Sequence, residues 1–331
     1  MIRCYFENIL DITYNNDDRY EGYLSNGMLN GHGTYYYADG RKYVGNFING
    51  SSNGYGQMFW ADHTRYEGHW RDDMMHENGT YYYADGRKYI GHSIQDTADG
   101  YGEMFWPGGD HYLGYWKNDS MHGNGTYDYA DGKKFIGHYI NSIKDGLGEM
   151  FWKNGDHYIG YWRNDSMHGN GTYYYSDGKK YVGGWKNDMM NGNGTYYYAD
   201  GGARYEGGWR FDKMNGNGTY YYADGGKYIG HFVNDTKDGY GEMHWPDNSW
   251  YQGHWKNDMM HGNGTYNYTD GRKYVGHSIN NTADGYGEMF WPEGDHFLGY
   301  WKDDNKQGLG KFIFANGTIQ DGTWKDDIFM N

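Results

Sequence analysis

Proline and cysteine are almost missing from this sequence. Three prolines and one cysteine are spread over 331 residues. The single Cys4 cannot form a disulfide within the chain, which suits a reducing compartment. No segment approaches the 18 or more apolar residues of a membrane helix, and residues 1–20 lack the apolar run of a secretory signal. Positive charge is also scarce: 29 Lys and Arg stand against 44 Asp and Glu, a net charge of −15. Nucleic acid and anionic lipid both want a basic surface, so that balance counts against either as a broad partner. The expectation is a cytoplasmic protein. What the chain has instead is glycine, 57 residues of it, with 41 tyrosines and 14 tryptophans. Glycine at that level can signal disorder, but the strict order in which it recurs among the rings argues otherwise.

An aromatic-x-Gly triplet opens at Tyr20, Tyr43, Tyr66, Tyr89, Tyr112, Phe135, Tyr158, Tyr181, Tyr205, Tyr228, Tyr251, Tyr274 and Phe297. Every step is 23 residues except the one from Tyr181 to Tyr205, which is 24. Gln320-Asp321-Gly322 begins a truncated copy one period later. A fixed period in this range marks an array of supersecondary units rather than one core. Within the copy that opens at Tyr158, the alternate residues Tyr158, Gly160 and Trp162 lie on one strand face, as do Gly169, Gly171, Tyr173 and Tyr175 on the next. Arg163 to His168 is expected to join them as a hairpin, and Ser176-Asp177-Gly178 to turn the chain into the next copy. Glycine beside Tyr and Trp is expected to let rings from a neighbouring strand lie flat on the backbone, with ring pairs as the main cohesive contact.

The pattern Tyr-x-Gly-x-Trp, turn, Gly-x-Gly-x-Tyr, Asp-Gly resembles the MORN (membrane occupation and recognition nexus) repeat; Asp188 to Tyr196 fits it well. The resemblance extends over residues 20 to 331 and departs at Glu77, which replaces the first Gly of the pair, and at Gln320. It implies an all-β fold, an elongated single-layer antiparallel meander of 23-residue hairpins. Residues 1–19 would form an N-terminal cap, 20–319 thirteen repeats with one extra residue near 201–203, and 320–331 a truncated repeat and C-terminal cap. Tyr5, Phe6, Ile9, Leu10 and Ile12 supply apolar surface to the first cap, or to an arm that binds a partner. Gly201-Gly202-Ala203 reads either as a bend that changes the twist or as a neutral loop insertion. Seven four-stranded propeller blades would also fit the length. Against them, successive 23-residue halves share one face pattern and the Gly-His and Trp-Asp signature is absent.

Two repeat flavours alternate: one carries Tyr-Tyr-Tyr-Ala-Asp-Gly, the other Gly-Glu-Met-Phe-Trp. The first ends in basic pairs, Arg41-Lys42, Arg87-Lys88, Lys133-Lys134, Lys179-Lys180 and Arg272-Lys273, which form a candidate basic edge. Paired methionines at Met74-Met75, Met189-Met190 and Met259-Met260 are expected to be exposed at turn tips on the opposite edge.

No catalytic constellation emerges. The histidines recur with the repeat (His122, His168 and His261 at one position; His92, His138, His231 and His277 at another), whereas an active site needs one unique cluster. No metal, cofactor or catalytic residue is assigned, and the short flanks lead us to expect no attached enzyme domain. The resemblance implies a scaffold that binds protein, since relatives occur in ciliary radial-spoke heads, parasite cytoskeletal complexes and junctional membrane proteins. Trp70, Trp116, Trp162, Trp185, Trp209, Trp255 and Trp301 are the candidate structural and groove residues, with a partner helix as one possible occupant. A homodimer through a terminal sheet edge, peripheral phospholipid binding, which the net charge disfavours, and glycan or choline binding are the alternatives.

Overall fold

The computed structural model describes residues 9–199 and 201–330. Among these residues all regular structure is β: twenty-nine strands and no helix. The chain forms two compact units, residues 1–166 and 167–331. In the first, each strand from Leu10–Thr13 onward pairs antiparallel with the next in sequence. In the second, the same order runs through to Ile328–Phe329. No break separates groups of four strands within either unit, so each is a continuous meander rather than a set of blades.

A seven-residue strand such as Arg65–Arg71 alternates with a nine-residue strand such as Met74–Tyr82. At one edge the link has only two residues. Asp72 and Asp73 both take positive φ, 49° and 66°, a type I′ turn whose twist matches that of the strands. Asn and Asp tolerate this backbone better than other side chains, which is why they fill these turns. The six-residue link expected at Arg163 to His168 is therefore shorter: only Asn164 and Asp165 lie outside the strands. At the other edge a three-residue loop closes each pair. The amide of Tyr83 donates to Arg87 O at 2.9 Å, Gly86 N donates to Tyr83 O at 3.0 Å, and Asp85 Oδ1 accepts from Arg87 N at 3.1 Å.

The extra residue near 201–203 is absorbed in a loop of this second kind. Tyr198 N still donates to Ala203 O, and the register Tyr196↔Tyr205, Gly194↔Gly207 is kept. At the N-terminus Leu10–Thr13 covers the edge of Arg19–Ser25, while Cys4, Tyr5 and Phe6 of the expected cap lie outside the described residues.

The core is assembled on one face of each meander. The opening Tyr of a repeat folds back over its own strand: Tyr181 lies across Gly183 and the neighbouring strand's Gly194, with its hydroxyl donating to Gly184 O at 3.0 Å. A Cβ on Gly183 would come within 2.6 Å of the Tyr181 hydroxyl oxygen and 2.5 Å of Gly194 Cα. The ring that needs the glycines thus comes from the repeat's own opening residue. The first glycine of each Gly-x-Gly pair has another duty. It sits at a bulge where the register slips between Gly183 and Trp185, and Gly192 takes φ +92° there.

Candidate functional site

The face that holds the opening tyrosines also holds all seven tryptophans singled out from the sequence. They are only 4–7% exposed. Each stands edge-on to its own repeat's opening ring, or to the preceding one, or to both; Trp70 lies 5.2 Å from Tyr66 at 85° and 5.3 Å from Tyr43 at 85°. Each indole N–H donates to a glycine carbonyl one hairpin back, as Trp70 does to Gly56 O and Trp301 to Gly287 O. Trp116, Trp162, Trp185, Trp209 and Trp255 repeat the bond to Gly102, Gly148, Gly171, Gly194 and Gly241. Edge-to-face geometry and a satisfied indole make these rings the mortar of the array, and little of them faces outward. Burial drives the pKa of Tyr205 and Tyr251 up to about 12, against the smaller lowering effect of their hydroxyl-to-backbone bonds.

The paired methionines are not exposed tips. The second of each pair crosses from a tryptophan, Trp70↔Met75, Trp185↔Met190 and Trp255↔Met260; Met190 is buried, and Met75 and Met260 are half-buried, as are Met74, Met189 and Met259. The two-residue turns are so tight that the strand already includes both methionines, and a side chain opposite an indole packs against it.

This methionine position ties successive hairpins together. The second turn residue of the following repeat accepts its amide: Asp188 Oδ1 from Met167 N at 2.8 Å and Asp212 Oδ1 from Met190 N at 2.7 Å. Asn281 and Ser142 serve equally well towards Met260 and Met121. Lysine occupies the position three times, and each ammonium is enclosed by rings. Lys144 Nζ lies 5.0 Å from the Trp162 ring centre, 5.4 Å from Phe135 and 5.9 Å from Tyr129. Lys237 repeats this with Trp255, Tyr228 and Tyr222 at 4.9, 5.7 and 5.8 Å. Lys306 lies 5.4 Å from Trp324 and also pairs with Asp327 at 3.1 Å.

The residues of the candidate basic edge are for the most part engaged within the chain. The first residue of each pair bonds the Asp two places earlier in its loop: Arg41–Asp39, Arg87–Asp85, Lys133–Asp131, Lys179–Asp177 and Arg272–Asp270, at 2.7–2.8 Å. Lys42, Lys88 and Lys180 lie over tyrosine rings, and Lys134 pairs with Asp128; Lys273 is exposed. Of the histidines, His92, His138, His231 and His277 span the bulge through Nδ1 to a backbone carbonyl, a structural use.

The opposite face is the one that carries exposed apolar surface. Its residues alternate with the buried set: Ile90, Ile136 and Ile159 in the first unit, Val182, Ile229 and Val275 in the second, each about two-fifths exposed. Exposed tyrosines flank them and meet across strands, Tyr101 with Tyr115 at 5.3 Å and Tyr286 with Tyr300 at 5.6 Å. Two open grooves of about 460 and 490 Å³ border Tyr240, floored by paired glycines and walled by Ile229, Gln252 and Val275. These residues occupy the odd places of the period-2 pattern and were visible there as a β-branched row; the rings on the even places drew attention away from them. Among the described residues no helix is long and apolar enough to cross a membrane, and no group of three His, Cys, Asp or Glu is placed to hold a metal.

A tandem array of hairpins with Tyr over Gly-Gly and an indole between successive tyrosines defines a β-hairpin repeat protein. The chain belongs to the MORN repeat family, whose pattern matches thirteen tandem stretches between residues 20 and 319. No curated protein sequence matches it. Among solved structures it is similar to the Drosophila melanogaster SAS-4 (dCPAP) TCP domain bound to a proline-rich motif of Ana2, at 13% identity and TM-score 0.31, over 56% of this chain and 96% of that one. It is also similar to the Danio rerio CPAP TCP10 domain with a STIL peptide, at 11% identity and TM-score 0.22, over 96% and 99%. A Staphylococcus aureus virginiamycin B lyase reaches 10% identity and TM-score 0.13, over 96% and 88%. Likeness at this level carries no argument about function.

Proposed function

We propose that this protein is a non-catalytic scaffold whose outward apolar face binds a protein partner. The observation that carries the reading is the row Ile90, Ile136, Ile159 and its counterpart Val182, Ile229, Val275, apolar side chains left in water on the face that packs no core. These side chains alternate across the strands with Thr and Glu, as Ile136 does with Thr126 and Glu149, and exposed apolar positions framed by polar ones suit a protein partner that covers them. The setting suggested by the family is a cytoplasmic, cytoskeletal assembly, ciliary or otherwise. An enzymatic role is not part of this reading, because the titratable groups recur with the repeat instead of converging.

The test is capture of partners from cell extract on the full chain and on the Ile136→Glu/Ile159→Glu variant. Both side chains are exposed, so the variant should melt within a degree or two of the parent. A protein retained by the parent and lost by the variant supports the scaffold. A chain that retains no protein and does not self-associate ends the reading.

A further inference from the structure

Two repeats depart from the ladder in the same way. At Ser93 and Ser278 a serine stands where the tryptophan should be, and at Ala98 and Ala283 an alanine stands where the methionine or lysine should be. In each case the two small residues meet across the strand pair, Ser93↔Ala98 and Ser278↔Ala283. Removing the ring and the long side chain together leaves a recess on the core face, about 430 Å³ in the first unit and 480 Å³ in the second.

The walls of the first recess correspond residue for residue to the seat of Lys144. Where Lys144 meets Tyr129, Phe135, Trp162 and the turn residue Asp165, the recess presents Tyr83, Tyr89, Trp116 and Asp119. The second presents Tyr268, Tyr274, Trp301 and Asp304 in the same places. Asp119 and Asp304 accept the amides of Ala98 and Ala283 at 2.8 and 2.7 Å, as Asp165 accepts that of Lys144 at 3.0 Å. The three rings and the turn carboxylate of the seat are kept; the lysine is missing, and a serine replaces the ring that faces it across the strands, Tyr139 opposite Lys144.

We propose that both recesses are sites for the side chain of a lysine presented by a partner protein, its ammonium taking the place that Lys144, Lys237 and Lys306 occupy elsewhere in the chain. Ring faces attract a cation, and most strongly when water is displaced. A primary ammonium fits better than a quaternary one, because Lys306 adds a 3.1 Å bond from its nitrogen to Asp327, the counterpart of Asp119 and Asp304. Arg87 at the first recess is no obstacle: it is paired with Asp85, as Lys133 beside the seat of Lys144 is paired with Asp131. Charge separates the two sites. The first holds Asp96 and Asp119 against Arg87; the second holds Asp304 and Asp327 against Arg272 and Lys306. The first recess is therefore the tighter site. The assignment deepens the scaffold reading and relies on it for the source of the lysine, but its test does not need the partner.

The probe is n-butylammonium, the end of a lysine side chain, titrated into the full chain with labelled alanine methyls. The Ala98 methyl should shift and saturate in the range of about 10 mM, reasonable for a five-atom ligand, with Ala283 responding more weakly. Neutral n-butanol should bind about tenfold more weakly, the factor a partly desolvated cation–ring contact supplies. Asp119→Asn keeps the backbone acceptor, as Asn281 does, and should weaken only the first site. Ala98→Lys, with the methionine methyls also labelled, should seat its own ammonium, keep the melting temperature and abolish the response of the Met104 methyl in the first recess, leaving that at Ala283. Absence of any shift, equal binding of butanol, tighter binding of choline, or an Ala98→Lys chain that still binds at the first site would each overturn the assignment. Success of this titration with failure of partner capture would leave the sites standing without the scaffold; the converse would remove only the sites.

Discussion

Tyr139 stands edge-on to Tyr112, ring centres 5.5 Å apart at 89°, and its hydroxyl is buried without a hydrogen-bond partner. Its position in the repeat is filled by Phe47 and Phe232 elsewhere, each making the same edge-on contact with the opening tyrosine of the preceding repeat, Tyr20 and Tyr205. Burial of an unpaired hydroxyl costs about 1–3 kcal/mol. Tyr139→Phe should therefore raise stability by about 1 kcal/mol while leaving the ring contact in place. Urea unfolding of the two chains checks this, and a lower midpoint for the variant contradicts it.

Glu77 occupies the bulge position that glycine fills in nearly every other repeat, and its φ is 58°. A side chain there costs roughly 1–2 kcal/mol. Its exposed pairing with Arg71 at 3.1 Å returns only a fraction of that. Glu77→Gly should stabilise the first unit by about 1 kcal/mol, and Glu77→Ala should gain nothing, since alanine meets the same backbone strain. Equal gains from both would refute the conformational account.

Gly183 and Gly192 lie in one repeat and are needed for different reasons. Gly183→Ala drives a methyl into the Tyr181 ring and Gly194 Cα, a clash with backbone that cannot swing away, and should cost about 3 kcal/mol. Gly192 has nothing within 4 Å but φ +92°, so Gly192→Ala should cost about 1 kcal/mol. Thermal melts give the ranking; the reverse order would mean that the ring-over-glycine contact is not what fixes the spacing.

High pH should open the array. Burial holds Tyr129, Tyr205, Tyr222 and Tyr251 up to about 12 in the folded chain. In the unfolded chain they ionise near 10. A pKa raised by folding contributes stability that is whole below about pH 10 and drains away as pH rises towards 12, because the unfolded chain releases its protons first. Phenolate absorbance and the β-sheet circular dichroism should change together in that interval. Ionisation of these tyrosines with the sheet signal intact would be the contrary result.

The fold was legible because the same residues return every 23 places, so the alternation of opening ring and glycine read at Tyr158 and Gly160 is met again in twelve further copies. The turn lengths were less so. Asn164-Asp165 forms a complete turn only because both residues accept left-handed backbone, and the polar neighbours Arg163 and Ser166 looked like turn while belonging to strands. Met190 was misjudged for the same reason: once the turn shrinks to two residues, that side chain faces Trp185 rather than water. Tryptophan drew the eye to the buried face. The exposed row through Ile136 and Val182 consists of smaller residues whose meaning depends on which face is covered, and pairing and packing decide that.

Because Asp327 accepts the amide of Lys306 and Trp324, backed by Phe329, packs on Lys306 and Phe312, the thirteenth unit is finished by residues that belong to the truncated copy after it. The piece that folds is therefore out of phase with the piece that the pattern counts, straddling the boundary between successive copies. A fragment cut at the sequence boundary would keep thirteen whole copies and still leave its last lysine seat without a lid. Shortened or spliced versions of such arrays should be cut within a copy, beyond the tight turn, where each hairpin takes its latch with it.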